Sequence, residues 1–78
     1  MSNLAKYDSA FADTFQLAPT ALSDLKYQGI ETWDSVGHMQ LMAALEESFG
    51  IELDIDDIIE FSSYQTGKTI MGKYGVAV

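Results

Sequence analysis

Residues 34–50, Asp-Ser-Val-Gly-His-Met-Gln-Leu-Met-Ala-Ala-Leu-Glu-Glu-Ser-Phe-Gly, constrain this chain more than any other segment. With about 3.6 residues per helical turn, His38, Leu41, Met42, Leu45 and Phe49 fall on one arc. That spacing fits an amphipathic helix and does not fit the period of a strand. Asp34 is a good N-cap, because its carboxylate can accept from a free first-turn amide. Gly50 is a good stop, because glycine takes the left-handed conformation that ends many helices. The pattern therefore predicts a helix from Ser35 to Phe49 with one face committed to a core. Val36, Met39 and Ala43 cluster nearly opposite that face, flanked by Gln40, Glu46 and Glu47. This second apolar patch is too small to be core and reads as a contact surface rimmed with acid.

The remaining segments supply what the first face must pack against. Leu4, Tyr7, Phe11 and Phe15 recur at spacings of three and four, predicting a first helix over Asn3 to Gln16 with Ser2 or Asn3 as its cap. Lys6, Ser9 and Asp13 fall on its far side. Pro19 ends any continuation. Residues 17–33 read as a long connection in which Leu22 and Leu25 dip into the core and Gln28-Gly29 makes a tight turn. A connection of that length can return the chain along the first helix, so that the two long helices lie side by side. Asp54 to Phe61 reads as a short third helix, with Ile55, Ile58, Ile59 and Phe61 making apolar contacts. Tyr64 to Tyr74 reads as a fourth, with Tyr64, Gly67, Met71 and Tyr74 on one face and Ile70 beside it. Gly75-Val76-Ala77-Val78 reads as a frayed tail. The expected architecture is all-α: a four-helix bundle over residues 1–78 as a single domain, with a long loop between helices 1 and 2 and a short helix 3.

Length and charge bound the function. A chain of 78 residues buries only roughly 60% of its unfolded surface, which leaves little room for an enclosed catalytic cavity. A hydrophobic content of 47% suffices for a folded core. The net charge is −8, from twelve acidic residues against four lysines and no arginine. Nothing here resembles the cationic stripe that binds nucleic acid or anionic membranes, and basic partner surfaces are favoured instead. With no cysteine, there is no disulfide framework and no thiolate zinc site. Met1-Ser2-Asn3-Leu4-Ala5-Lys6 lacks the basic and apolar regions of a secretory leader, and no apolar run reaches membrane-spanning length. The expectation is a monomer in the cytoplasm that binds neither membrane nor nucleic acid.

Ser35 is the residue with most chemical interest. It stands where a polar loop becomes a helix. A catalytic serine needs a base and an oxyanion hole, and the only histidine, His38, turns toward the core arc, where it packs and hydrogen-bonds toward the long loop. No catalytic residue is expected. A serine that is modified needs less: an exposed hydroxyl and a site that tolerates the new group. A helix N-terminus tolerates a phosphodiester well, because its free amides and dipole favour negative charge. Two other patterns are weaker. Gly67-Lys68-Thr69 ends like a phosphate-binding loop, but the earlier glycine would fall at Ser62. Asp54, Asp56, Asp57 and Glu60 suggest a calcium loop, but the glycine it requires would fall at Ile59. They read as a solvated acidic helix start, and no metal site is expected.

The run Asp34-Ser35-Val36, followed by Leu41, Ala44-Leu45-Glu46-Glu47, Phe49-Gly50-Ile51 and Glu52-Leu53, resembles the acyl carrier protein family. The resemblance covers most of the chain and is densest from Trp33 to Leu53. It implies that Ser35 carries 4′-phosphopantetheine, attached through a phosphodiester by a separate phosphopantetheinyl transferase that uses coenzyme A. The arm's thiol would hold an acyl or related cargo as a thioester and deliver it to partner enzymes with basic docking surfaces. Asp34 would serve transferase recognition. Val36, Met39, Ala43, Glu46 and Glu47 would form the docking face. Fatty-acid carriers often have a glycine two before the Asp and acids at the positions of Gly37 and Gln40; here those positions hold Thr32, Gly37 and Gln40. Trp33 is read as a cover for the loop against the core. The Trp-Asp-Ser-Val-Gly-His run is closer to stand-alone carriers of specialised pathways: polyketide, polysaccharide-linked or fatty-acid-like. The alternatives are a carrier of an aminoacyl group and an unmodified helical interaction module.

Overall fold

A computed structural model describes residues 2–78, so Met1 lies outside it. The chain forms α1 (Asn3–Phe15), a turn of 3-10 helix (Pro19–Ala21), α2 (Ser35–Phe49), α3 (Ile55–Glu60) and α4 (Tyr64–Lys73). The bundle measures 29 × 27 × 18 Å. α1 and α2 pack against each other as its main helix pair.

The helix ends follow from local chemistry. The Ser2 hydroxyl accepts from the Ala5 amide at 3.1 Å and caps α1. The Asp34 carboxylate accepts from the Gly37 amide at 2.8 Å and caps α2, while Gly50 ends it at φ 63°. Ser63 caps α4 through the Thr66 amide at 3.0 Å. α1 ends on Gln16, at φ 55°, a left-handed stop that a glutamine side chain does not advertise. The turn predicted at Gln28-Gly29 closes with the Gly29 amide on the Lys26 carbonyl at 2.8 Å. Gln28, not Gly29, takes the positive φ, 64°.

The core is aromatic. Tyr7, Phe11 and Phe15 of α1 meet Leu41, Met42 and Leu45 of α2, and Leu22, Leu25 and Trp33 enter from the connection. Trp33 is fully buried. Its indole stacks on Phe15, with centroids 5.3 Å apart, and meets Phe11 edge-on at 5.6 Å. It is thus a central core residue and more than a cover for the loop. The connection is also tied to the opposite end of the chain. The Tyr27 amide donates to the Ser62 carbonyl at 2.8 Å, and the Tyr64 amide donates to the Leu25 carbonyl at 3.0 Å. α1 and α4 are joined by the Tyr7 hydroxyl, which donates to the Tyr64 carbonyl at 2.7 Å, and by the Tyr64 hydroxyl, which donates to Asp8. Burial, then the bond to Asp8, pushes Tyr64 up to about 12.

Several expectations change. Leu4 is 41% exposed, so the buried stripe of α1 begins at Tyr7. Ile55 and Ile59 are each 73% exposed, whereas Ile58 packs partly against the core and Phe61, just after α3, is fully buried. Asp57, read as a solvated acid, is buried. The expected frayed tail turns back: the Val76 amide donates to the Met71 carbonyl at 3.2 Å, and its side chain is buried. For Asp57 a contact with residues distant in the chain overrides the local pattern.

Gly67 marks a close contact of α4 with Tyr7 of α1 and with Phe61. A Cβ there would lie 2.2 Å from the Phe61 ring and 2.2 Å from the Tyr7 hydroxyl. Both side chains are buried, so neither can swing away. Gly72, on the same helix, has nothing within 4 Å of its Cβ position. Alanine should therefore act with opposite signs at the two sites. Gly67→Ala should destabilise by about 1–2 kcal/mol net, as overpacking exceeds the gain in helix propensity. Gly72→Ala should stabilise by up to about 1 kcal/mol. Urea unfolding midpoints at unchanged m-value check both.

Candidate functional site

Ser35 is the first residue of α2 and is exposed. Among the described residues no hydrogen bond engages its hydroxyl. The neighbouring Asp34 is occupied: its carboxylate holds the Gly37 amide, and its carbonyl accepts from the His38 amide at 2.8 Å. The amides of Ser35 and Val36 remain in the unsatisfied first turn, so the serine stands beside free donors at the positive end of the helix dipole.

His38, one turn on, does not serve Ser35. The buried indole of Trp33 donates from Nε1 to His38 Nδ1 at 2.9 Å. An indole N–H can only donate, so Nδ1 must be the bare nitrogen. His38 Nε2 then carries the proton and donates to the Ile58 carbonyl at 2.7 Å. Both ring nitrogens are committed, one to the loop and one to α3. Among the described residues there is no serine–histidine pair and no group of His, Asp or Glu disposed to hold a metal ion.

The residues expected to form a docking face separate into two kinds. Val36 is 65% and Met39 55% exposed, and Ala43 and Glu47 are also exposed. Glu46 is half-buried, and its carboxylate accepts from the Leu53 amide at 2.8 Å, bracing the loop after α2. Gly37 is buried where fatty-acid carriers often have an acid. A Cβ there would lie 1.9 Å from the Thr32 carbonyl oxygen, so the position admits no side chain while the loop keeps this course.

An apolar cleft of about 430 Å³ opens between α2 and α3 beside Ser35. Its walls are His38 and Met39 on one side and Ile55, Ile58, Ile59 and Phe61 on the other, with Tyr27 and Ser62 at an end. Sequence reasoning gave the α3 isoleucines apolar contacts without showing that they line a cleft. A second groove, of about 610 Å³, is walled by Asp54, Asp56, Asp57, Glu60, Lys73 and Tyr74 and does not reach Ser35. Its centre is an anchor for α3. Asp57 bonds the Tyr74 hydroxyl at 2.5 Å and pairs with Lys73 at 3.0 Å. The Tyr74 hydroxyl in turn accepts from the Asp54 amide at 2.9 Å. Sequence reasoning missed this role too; the one available signal was an Asp set among the α3 isoleucines.

Residues 33–66 match the family model described as the phosphopantetheine attachment site. The matched segment runs from Trp33 through α2 and α3 into the first turn of α4, and so contains Ser35, both walls of the cleft and the His38 bonds. The match supports a phosphopantetheine-bearing carrier protein family, and such a segment implies a covalently attached 4′-phosphopantetheine group. Carriers of this kind work with modifying and acyl-handling enzymes. No curated protein and no solved structure gives a significant match. No helix among the described residues is long and apolar enough to cross a membrane.

The Asp57 anchor has a pH signature. Its bond from Tyr74, then that from Lys73, holds Asp57 below the usual carboxylate range. A carboxyl depressed in the folded state contributes stability that is full above its unfolded pKa of about 3.9. That contribution is lost as pH falls through the folded value. Melting temperature should therefore drop on acidification below about pH 4. Asp57→Asn should lower the neutral-pH melting temperature and flatten that acid limb. Thermal melts by circular dichroism between neutral pH and strong acid check both.

Proposed function

We propose that Ser35 is the attachment point for 4′-phosphopantetheine and that the chain is a non-catalytic carrier of acyl groups. The observation that carries the reading is the exposed, uncommitted Ser35 hydroxyl at the start of α2 inside the matched segment, beside a histidine whose nitrogens are both engaged elsewhere. In the attachment step the Ser35 oxygen bonds to the pantetheine-side phosphorus of coenzyme A. The pyrophosphate P–O bond breaks, the adenosine bisphosphate leaves, and the hydroxyl proton passes to a base on the transferase. The free amides of the first turn of α2 suit the resulting phosphodiester. When attached, the arm supplies the thiol that a chain without cysteine lacks, and it holds the acyl group as a thioester.

The cleft favours an acyl chain over an aminoacyl group. Its lining is largely aliphatic and aromatic, and it contains no carboxylate to pair with an ammonium. A fatty-acid-like or polyketide intermediate fits that surface. Val36, Met39, Ala43 and Glu47 form the docking face, with Asp34 nearest the modified serine. Ile55 and Ile59 extend its apolar part across the cleft. Acting as a monomer in the cytoplasm, the chain would meet basic partner surfaces by electrostatic steering.

Incubation with a phosphopantetheinyl transferase and coenzyme A should add one phosphopantetheine mass, and Ser35→Ala should abolish the gain. No gain, with an efficient carrier modified in parallel, rejects the carrier reading; a gain that survives Ser35→Ala moves the site. Glu47→Lys tests docking without disturbing the fold, since Glu47 is exposed whereas Glu46 holds Leu53. It should lower kcat/KM for the transferase severalfold at low salt and less at high salt, with an unchanged melting temperature.

A further inference from the structure

α3 has only six residues, too few to hold a helix by itself, and two of its isoleucines face water. Its position therefore depends on tethers. Phe61, at its end, is buried, and Asp57 ties its outer side to Lys73 and Tyr74 of the C-terminal segment. The Ile58 carbonyl, one of the last-turn acceptors that a helix leaves free, takes the third tether from His38. Among the described residues this is the one hydrogen bond that runs from α2 to α3. It spans the cleft that opens beside Ser35, and His38 is also part of that cleft's lining. The ring stacks near-parallel to Trp33, at 6.2 Å between centroids. It is met edge-on by Tyr27 at 5.3 Å and by Phe61 at 6.3 Å.

We propose that His38 is a positioning residue that latches α3 to α2, so that the cleft can shield an acyl chain attached through Ser35, and that this closure is coupled through Nδ1 to the buried Trp33. The proposal rests on the carrier reading. Two properties of the neutral ring make it a latch: one nitrogen accepts from the loop before Ser35, and the other donates to the far wall. Separation of the walls breaks the Nε2–H···O=C bond to Ile58. It also frees the ring to shift against the indole, whose N–H has no other partner among the described residues.

The test loads the protein from acetyl- or octanoyl-coenzyme A with a phosphopantetheinyl transferase, confirms loading by mass, and follows release by hydroxylamine. Hydroxylamine adds to the thioester carbonyl, the C–S bond breaks, and the hydroxamate and free thiol form. Each rate is divided by that of the same acyl-coenzyme A. In the unaltered protein octanoyl release should be severalfold slower than acetyl. His38→Phe, which keeps the ring volume but neither bond, should remove that difference. His38→Gln, which offers one acceptor and one donor, should restore most of it. Tyr7→Phe deletes a buried bond between α1 and α4 and should keep the difference, which separates the latch from general loss of stability. Shielding that persists in His38→Phe, or that disappears as fully in Tyr7→Phe, overturns the latch, as does equal release of both groups from the unaltered protein. A mass spectrum without loading rejects the carrier reading itself, and the latch with it. If His38→Phe does not fold, the chain's single tryptophan decides. The indole N–H resonance of the unaltered protein should differ between octanoyl- and acetyl-loaded forms, and an unchanged resonance overturns the coupling.

Discussion

The loop and the second helix meet at Gly37 with no room for a side chain. A Cβ there would sit 1.9 Å from the Thr32 carbonyl oxygen and 3.2 Å from the Phe15 ring. This close approach lets the chain cross the start of α2 and drop Trp33 into the centre of the bundle, where it is fully buried. Two residues later the chain is already at the surface, so Ser35 is exposed by the same turn that buries the indole. Asp34, between them, caps α2 with its carboxylate. Serine presentation and core packing are thus consequences of one backbone contact. An acid at position 37 would strengthen the charge near the serine but would displace the loop.

α3 inverts the usual sense of an amphipathic helix. Its exposed isoleucines sit on the lips of the cleft, and its buried polar residue, Asp57, faces α4. A carboxylate buried without partners would be costly. Here the Tyr74 hydroxyl and the Lys73 ammonium supply two charge-assisted bonds. The arrangement leaves apolar residues on the surface and ties a charge against the C-terminal segment, and it yields an apolar recess next to the serine. A helix packed with its isoleucines inward would bury more surface but leave no recess.

The legible parts of the sequence are those fixed by neighbours along the chain. Asp34, Gly50 and the spacing of Leu41, Met42 and Leu45 delimit α2 as Ser35–Phe49, which are its bounds in the structure. The first and fourth helices, and the entry of Leu22 and Leu25 into the core, follow from similar spacing. What did not show depends on contacts or backbone conformations that the local pattern does not signal. Asp57 reads as solvated until Lys73 and Tyr74 are brought to it, and Val76 reads as a loose tail until it folds back on Met71. Ile55 and Ile59 read as making apolar contacts, with nothing local to show that both would stand exposed. Gln16 and Gln28 take left-handed conformations without the glycine that would have signalled them. The serine, its cap and the exposed Val36–Met39–Ala43 patch were readable. The cleft and the His38 bond to α3 were not, since both require α3 to lie across α2.

The acidic residues of α2 have unequal roles, and this shapes how a partner can recognise the chain. Glu46 is held to the Leu53 amide, so its charge is partly spent on bracing the loop, and a partner lysine would compete with that bond. Glu47 carries no such commitment, and Gly37 and Gln40 contribute no charge near the serine. What remains around Ser35 is mostly apolar: Val36 and Met39 on α2, Ile55 and Ile59 on α3, all more than half exposed. Long-range attraction, set by a net charge of −8, can therefore bring a basic partner close without fixing its register. In the proposed reading the register comes from the apolar residues flanking the cleft, which the bond from His38 to Ile58 joins across it. On the proposed function, recognition of the protein and shielding of its cargo depend on the same placement of α3.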